Sequence, residues 1–170
     1  MPLKLIVAAL TLTLAAVAQA PPVVPYGTPI TADAAKKLAA AAIGEAKKNN
    51  WAMAVAIVDT AGYLVYFERM NDTQLGSVEI AIEKAKSAAL FRRPTKTFQD
   101  GLAAGGQGLR LLKLTGAIPV EGGIPLTAGG KVIGAIGASG GSSDQDGATA
   151  QAGASAGATM KVSTMPFLRA

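Results

Sequence analysis

The stretch from Gly122 to Gly147, GGIPLTAGGKVIGAIGASGGSSDQDG, constrains the fold of this chain more than any other. Two short apolar runs flank Ala128-Gly129-Gly130, a tight-turn signal, so they read as the strands of a β-hairpin. A Gly/Ser stretch then leads to Asp144 and Asp146 ahead of an Ala-rich run. Acidic residues suit the positive end of a helix, so a last helix is expected from Asp144 to about Met160. Its many Ala and Gly residues give it weak intrinsic stability, so it needs something to pack against, such as a second subunit.

The rest of the chain punctuates itself in the same way. Thr31 is a good N-cap, and Ala35, Leu38, Ala39, Ala42, Ile43 and Ala46 recur at helical spacing up to Asn49-Asn50. From Trp51 to Val58, bulky Met53, Val55 and Ile57 alternate with alanines, and Asp59-Thr60-Ala61-Gly62 turns the chain into Tyr63 to Arg69. This second hairpin has one bulky and one small face, and the small face lets a helix backbone approach closely. Ser77 to Phe91 repeats the helical pattern, with Glu79, Glu83, Lys84 and Lys86 assigned to the polar side. Pro94 then opens a shorter helix to about Leu102, and the glycines of Gly101 to Gly108 read as a mobile connection before Leu109 to Leu114. Strand pairs separated by helices predict an α+β fold with an antiparallel sheet, its core including Val55, Ile57, Val65, Ile82, Ile124, Ile133 and Ile136.

The chain has 170 residues, half of them hydrophobic, which supports one core and one domain. Residues 1–20 carry a single charge at Lys4, an apolar run from Leu5 to Leu14, and the cleavage signature Ala18-Gln19-Ala20, which reads as a secretory signal peptide. The run is too short to span a bilayer, and Pro21-Pro22 follows at once, so a periplasmic or secreted protein without stable membrane insertion is expected. Residues 21–30 read as an extended leader without a core of its own, 31–160 as the domain, and 161–170 as a tail.

Chemistry is bounded first by what is missing. There is no His and no Cys, which excludes a disulfide framework, a lipid-anchored N-terminus, Ser-His-Asp or Cys-His catalysis and a conventional zinc site. The basic excess, 16 against 11, is spread along the chain without stacking aromatics, so no nucleic-acid interface is expected, while a small anionic ligand fits it. Gly129-Gly130-Lys131 lacks the spacing of a phosphate loop, and Gly134, Gly137 and Gly140 do not make a dinucleotide fingerprint.

From Thr31 to Gly157 the chain resembles the GlcG/HbpS family, the haem-degrading domain. The resemblance rests on AVAIVDTAGYLVYFERMNDT, on SVEIAIEKAKSAALFRRPT with its Lys84-Ala85 pair, and on the GGIPL strand with the SGGSSDQD loop. It implies a profilin-like fold with helices flanking the sheet, homo-oligomers, and in some members haem binding or breakdown. Without histidine, iron would fall to Tyr63, Tyr66 or Met70, with Arg69, Lys84, Arg92 and Arg93 receiving the propionates. Two readings of function follow: an exported tetrapyrrole-binding protein that sequesters or slowly degrades haem, or a non-catalytic oligomeric module, a sensor accessory or small-acid binder. A cofactor-free enzyme using Lys84 with Glu83 or Asp144 ranks third, because nothing in the sequence brings those groups together.

Overall fold

The computed structural model describes residues 23–158; the expected signal peptide, the tail and the end of the last helix near Met160 lie outside the described residues. Helix α1 (Ala32–Lys48) starts where the sequence signals it: the Thr31 hydroxyl accepts the Ala34 N–H at 3.3 Å. It ends at Asn49 and Asn50, the latter in the left-handed region. Strands β1 (Ala54–Val58) and β2 (Leu64–Arg69) form the first hairpin. Helix α2 spans Ser77–Phe91, α3 Lys96–Ala103, and a 3-10 helix Gly106–Lys113. The second hairpin is β3 (Gly123–Ala128) with β4 (Lys131–Ser139), and α4 (Ser143–Ala158) closes the fold.

The four strands form one antiparallel sheet in the order β2-β1-β4-β3. Both faces are covered, which is why β1 is buried along its whole length despite its two-faced pattern. Val55, Ile57, Ile136 and Ala138 point toward α1 and α4, with Val65, Ile124 and Ile133 packed against that cluster. Ala54, Ala56, Val58 and Ala135 point toward Ala81, Ala85, Ala88 and Ala89 of α2, with Ile82 alongside. The small face therefore does receive a close helix. At Gly137 the approach is backbone to backbone, since a Cβ there would run into the Ala81 carbonyl oxygen.

The structure adds to three expectations. The leader has a role in the sheet, because β4 outruns β1, which pairs only with Ala135 to Ser139. Pro25 to Ile30 fill the remainder: Val132 N–H donates to the Pro25 carbonyl (2.9 Å), and the Gly27 and Ile30 N–H groups donate to Val132 and Ile133 (2.7 Å each). The stretch expected as a mobile connection winds, from Gly106 on, into a 3-10 helix that runs to Lys113. Finally, α4 finds its packing partner within the chain. Gly153 lies against Leu38 and Ala42 of α1, so the smallness that weakens α4 as an isolated helix is what lets two helices pack closely.

Candidate functional site

The α2 motif, the GGIPL strand and the SGGSSDQD loop are far apart in sequence, yet they meet at one end of the sheet. Lys84 is only 1% exposed, and its ammonium donates to Asp146 Oδ2 at 2.7 Å and to the Ala138 carbonyl at 3.3 Å. Asp146 Oδ1 in turn accepts the Gly141 N–H at 3.0 Å. The pair joins α2 to the first turn of α4, helices that cover opposite faces of the sheet. Burial pushes the Asp146 carboxyl above its ordinary value of 3.8, partly opposed by Lys84 and by the Gly141 and Gly140 N–H groups.

Glycine makes room for this pair. Gly122 has φ +126°, and a Cβ there would lie 2.6 Å from the Ala138 oxygen and 3.0 Å from Lys84 Nζ. Thr95, just after the Pro94 break, grips the next residue twice: Gly123 N–H donates to Thr95 Oγ1, and Thr95 N–H to the Gly123 carbonyl, both at 2.9 Å. The α4 start is held by a reciprocal cap, Ser142 N–H to Gln145 Oε1 (3.0 Å) and Gln145 N–H to Ser142 Oγ (3.4 Å).

Beside this tie lies an open pocket of about 460 Å³, floored by Gly122 and Gly123 and ringed by Lys96, Glu121, Asp144 and Gln151. Lys96 Nζ lies 2.9 Å from Asp100 Oδ1 and 3.7 Å from Glu121 Oε2, a buried oxygen with no hydrogen bond of its own. The bond to Asp100 raises the Lys96 pKa above 10.5, opposed by desolvation and aided by the charges of Asp100 and Glu121. The ring therefore offers one ammonium, two carboxylates and an amide, a set suited to a small polar molecule. Lys84 and Asp146 are sealed behind the floor, and their role is to hold it.

The seven residues nominated from sequence do not converge. Tyr63 is 74% exposed in the turn before β2, and Arg69 is exposed at the strand's end. Tyr66 is half-buried and donates to Glu68 Oε2 at 3.0 Å; that bond, then desolvation, then the Glu68 charge raise its pKa, which disfavours the phenolate that binds ferric iron. Met70 packs against the cluster beneath α1 and donates its N–H to the Met53 carbonyl at 3.0 Å. Arg92 sits over the Tyr26 ring, 5.0 Å from its centroid, and donates to the Val24 carbonyl at 3.1 Å. Arg93 lies 5.8 Å over the Phe98 ring. Lys84 was assigned to the polar side of α2, and this is corrected: its carboxylate partner is Asp146, neither Glu83 nor Asp144.

The residues that sequence reasoning passed over are Asp146, Lys96, Glu121 and Gln151. For Lys84 a signal existed, since Ser77, Ala81, Lys84 and Ala88 recur at four-, three- and four-residue spacing and share the buried face of α2. The capping box at Ser142 and Gln145 was equally legible.

Comparison with known proteins agrees with this architecture. The profile of the family "Haem degrading protein HbpS-like" matches residues 30–155. Protein GlcG of Escherichia coli K12 is 37% identical over 105 residues, 62% of this chain and 77% of that protein. The crystal structure of HbpS superposes with a TM-score of 0.70 at 34% identity, covering 76% of this chain and 91% of that one. A PduOC:heme complex does so with a TM-score of 0.68 at 30% identity, covering 76% and 95%. The chain belongs to the HbpS-like family of haem degrading proteins.

Proposed function

We propose that this is an exported haem- or tetrapyrrole-binding protein that acts as a homo-oligomer and sequesters or slowly degrades haem. The observation that carries this reading is its likeness in fold and sequence to the PduOC:heme complex, within a family named for haem degradation. Export rests on the charge, apolar run and Ala-x-Ala signature of residues 1–20. Assembly is supported by β2, an edge strand with free backbone groups beside exposed Tyr63 and Leu64, and by exposed Leu75 and Ile80 at the start of α2.

Iron ligation is the poorest fit between the residues present and the group. The chain has no histidine, Tyr63 is exposed, the Tyr66 hydroxyl is bonded to Glu68, and Met70 packs against the core. The porphyrin body and its carboxylates fit better, because apolar and cationic side chains are both exposed. Retention of the macrocycle is accordingly the part of the reading these residues support. Haemin titration of the mature protein tests it: a saturable Soret change at stoichiometric protein is expected, with weaker affinity than a histidine-ligated relative shows. Light scattering on the same sample should give a dimer or larger.

No Soret change would favour the second reading, a non-catalytic binder of small acids. The pocket beside Gly122 is the observation behind it. A small acid carrying its own hydrogen-bond donor would set its carboxylate on Lys96 and the donor on Glu121 or Asp144.

A further inference from the structure

A 3-10 helix repeats every three residues, so side chains three apart stack into ridges rather than spreading around the axis. Between Gly106 and Lys113 this sorts the sequence GQGLRLLK, with Leu114 after it, into three ridges. Leu111 packs over Gly101 of α3 and with Leu114 forms the ridge that faces that helix. Arg110 and Lys113 form a cationic ridge, and Leu109 and Leu112 an apolar one that is 54% and 64% exposed. Between α3 and the 3-10 helix runs a groove of about 540 Å³, with Leu111 and Leu114 on its floor and Arg110 and Lys113 along its wall. That volume is within the range of sites that hold organic ligands of cofactor size. Among the described residues no salt bridge reaches either cation; Arg110 bonds only to Gln107, through its carbonyl at 3.0 Å and its side-chain amide.

We infer that this groove is where the chain takes a porphyrin dicarboxylate, with the macrocycle laid on the leucines and the propionates paired with Arg110 and Lys113. The inference rests on the haem-binding reading above and gives that reading a place. Charge complementarity selects the occupant: two cations without carboxylate partners stand at the edge of an apolar floor, matching a flat apolar anion with both acids on one side. The concave shape sets this apart from a surface for lying on a bilayer. No Tyr, Met or His lines the groove, so binding here does not depend on the metal.

The test compares haemin with iron-free protoporphyrin IX on three full-length proteins: wild type, Leu114→Asp on the groove floor, and Arg110→Glu/Lys113→Glu on its wall. The substituted side chains are exposed, and circular dichroism and Tm check that each variant is folded. Wild type should bind both porphyrins with similar affinity, and both variants should lose about tenfold or more for each, as expected for charge-assisted bonds and buried apolar area. If the variants bind like wild type, the groove is the wrong place, while the haem reading survives. Tight haemin with no binding of the iron-free porphyrin would also overturn the groove, by showing that iron ligation elsewhere holds the ligand. If the variants change only the mass seen by light scattering, the face is a contact between copies and the inference fails. Wild type that binds neither porphyrin removes the haem reading itself.

Discussion

Lys84 is the largest of the fully buried side chains, and its ammonium has a partner only because Asp146 is carried to it by the first turn of α4. Removing one member strands the other: Lys84→Met or Asp146→Leu should each cost about 3–5 kcal/mol in urea unfolding. The double variant should cost much less than the sum, because neither charge is then left alone. Additive losses would mean that the two charges are not coupled. The pH dependence has a definite sign. Because the folded-state pKa of Asp146 is raised above 3.8, its contribution to stability is full below that value and is lost as pH rises through the raised one. The Tm of wild type relative to Asp146→Asn should therefore improve as pH falls from neutral to below 4; a gap that moves the other way contradicts the assignment. Lys84 escaped a reading by residue type because lysine is ordinarily a surface residue, although its position in the α2 repeat already placed it inside. Asp146 could not be paired with it from sequence, since only the tertiary fold joins positions separated by 62 residues.

At the scale of elements, the small faces decide how closely layers approach. Gly137→Ala would put a methyl group against the Ala81 carbonyl and 2.6 Å from the Ala85 N–H, forcing α2 off the sheet. The expected cost is about 1–3 kcal/mol or more. For comparison, Ile57→Ala on the opposite face should cost about 2–5 kcal/mol through the cavity it leaves. Equal stability of Gly137→Ala and wild type in denaturant would show that α2 is not seated as described. The strands and the long helices were legible because each carries its own period and its own stop, as at Thr31, Asn49-Asn50 and Pro94. The 3-10 helix was not, because four glycines in Gly101 to Gly108 mask a period of three. The leader was not either: its docking depends on how far β4 outruns β1, a difference visible only once the strands are paired.

For the whole molecule, the α+β architecture and the family were both readable, because their motifs sit on the turns and caps that build the fold. The site was readable only in part. The motif residues Lys84, Gly122, Gly123 and Asp146 do converge, but on a structural tie. The tyrosines and arginines nominated for haem scatter, because a composition lacking histidine names candidate ligands without bringing them together. The central proposal is that the protein holds a tetrapyrrole outside the cytoplasm. The most direct measurement is the absorbance spectrum and intact mass of the protein purified from the envelope fraction of its native host, grown with haem available. The account predicts a Soret band that co-purifies with a chain beginning at Pro21; a colourless protein that retains Met1 and stays in the cytoplasmic fraction would contradict it.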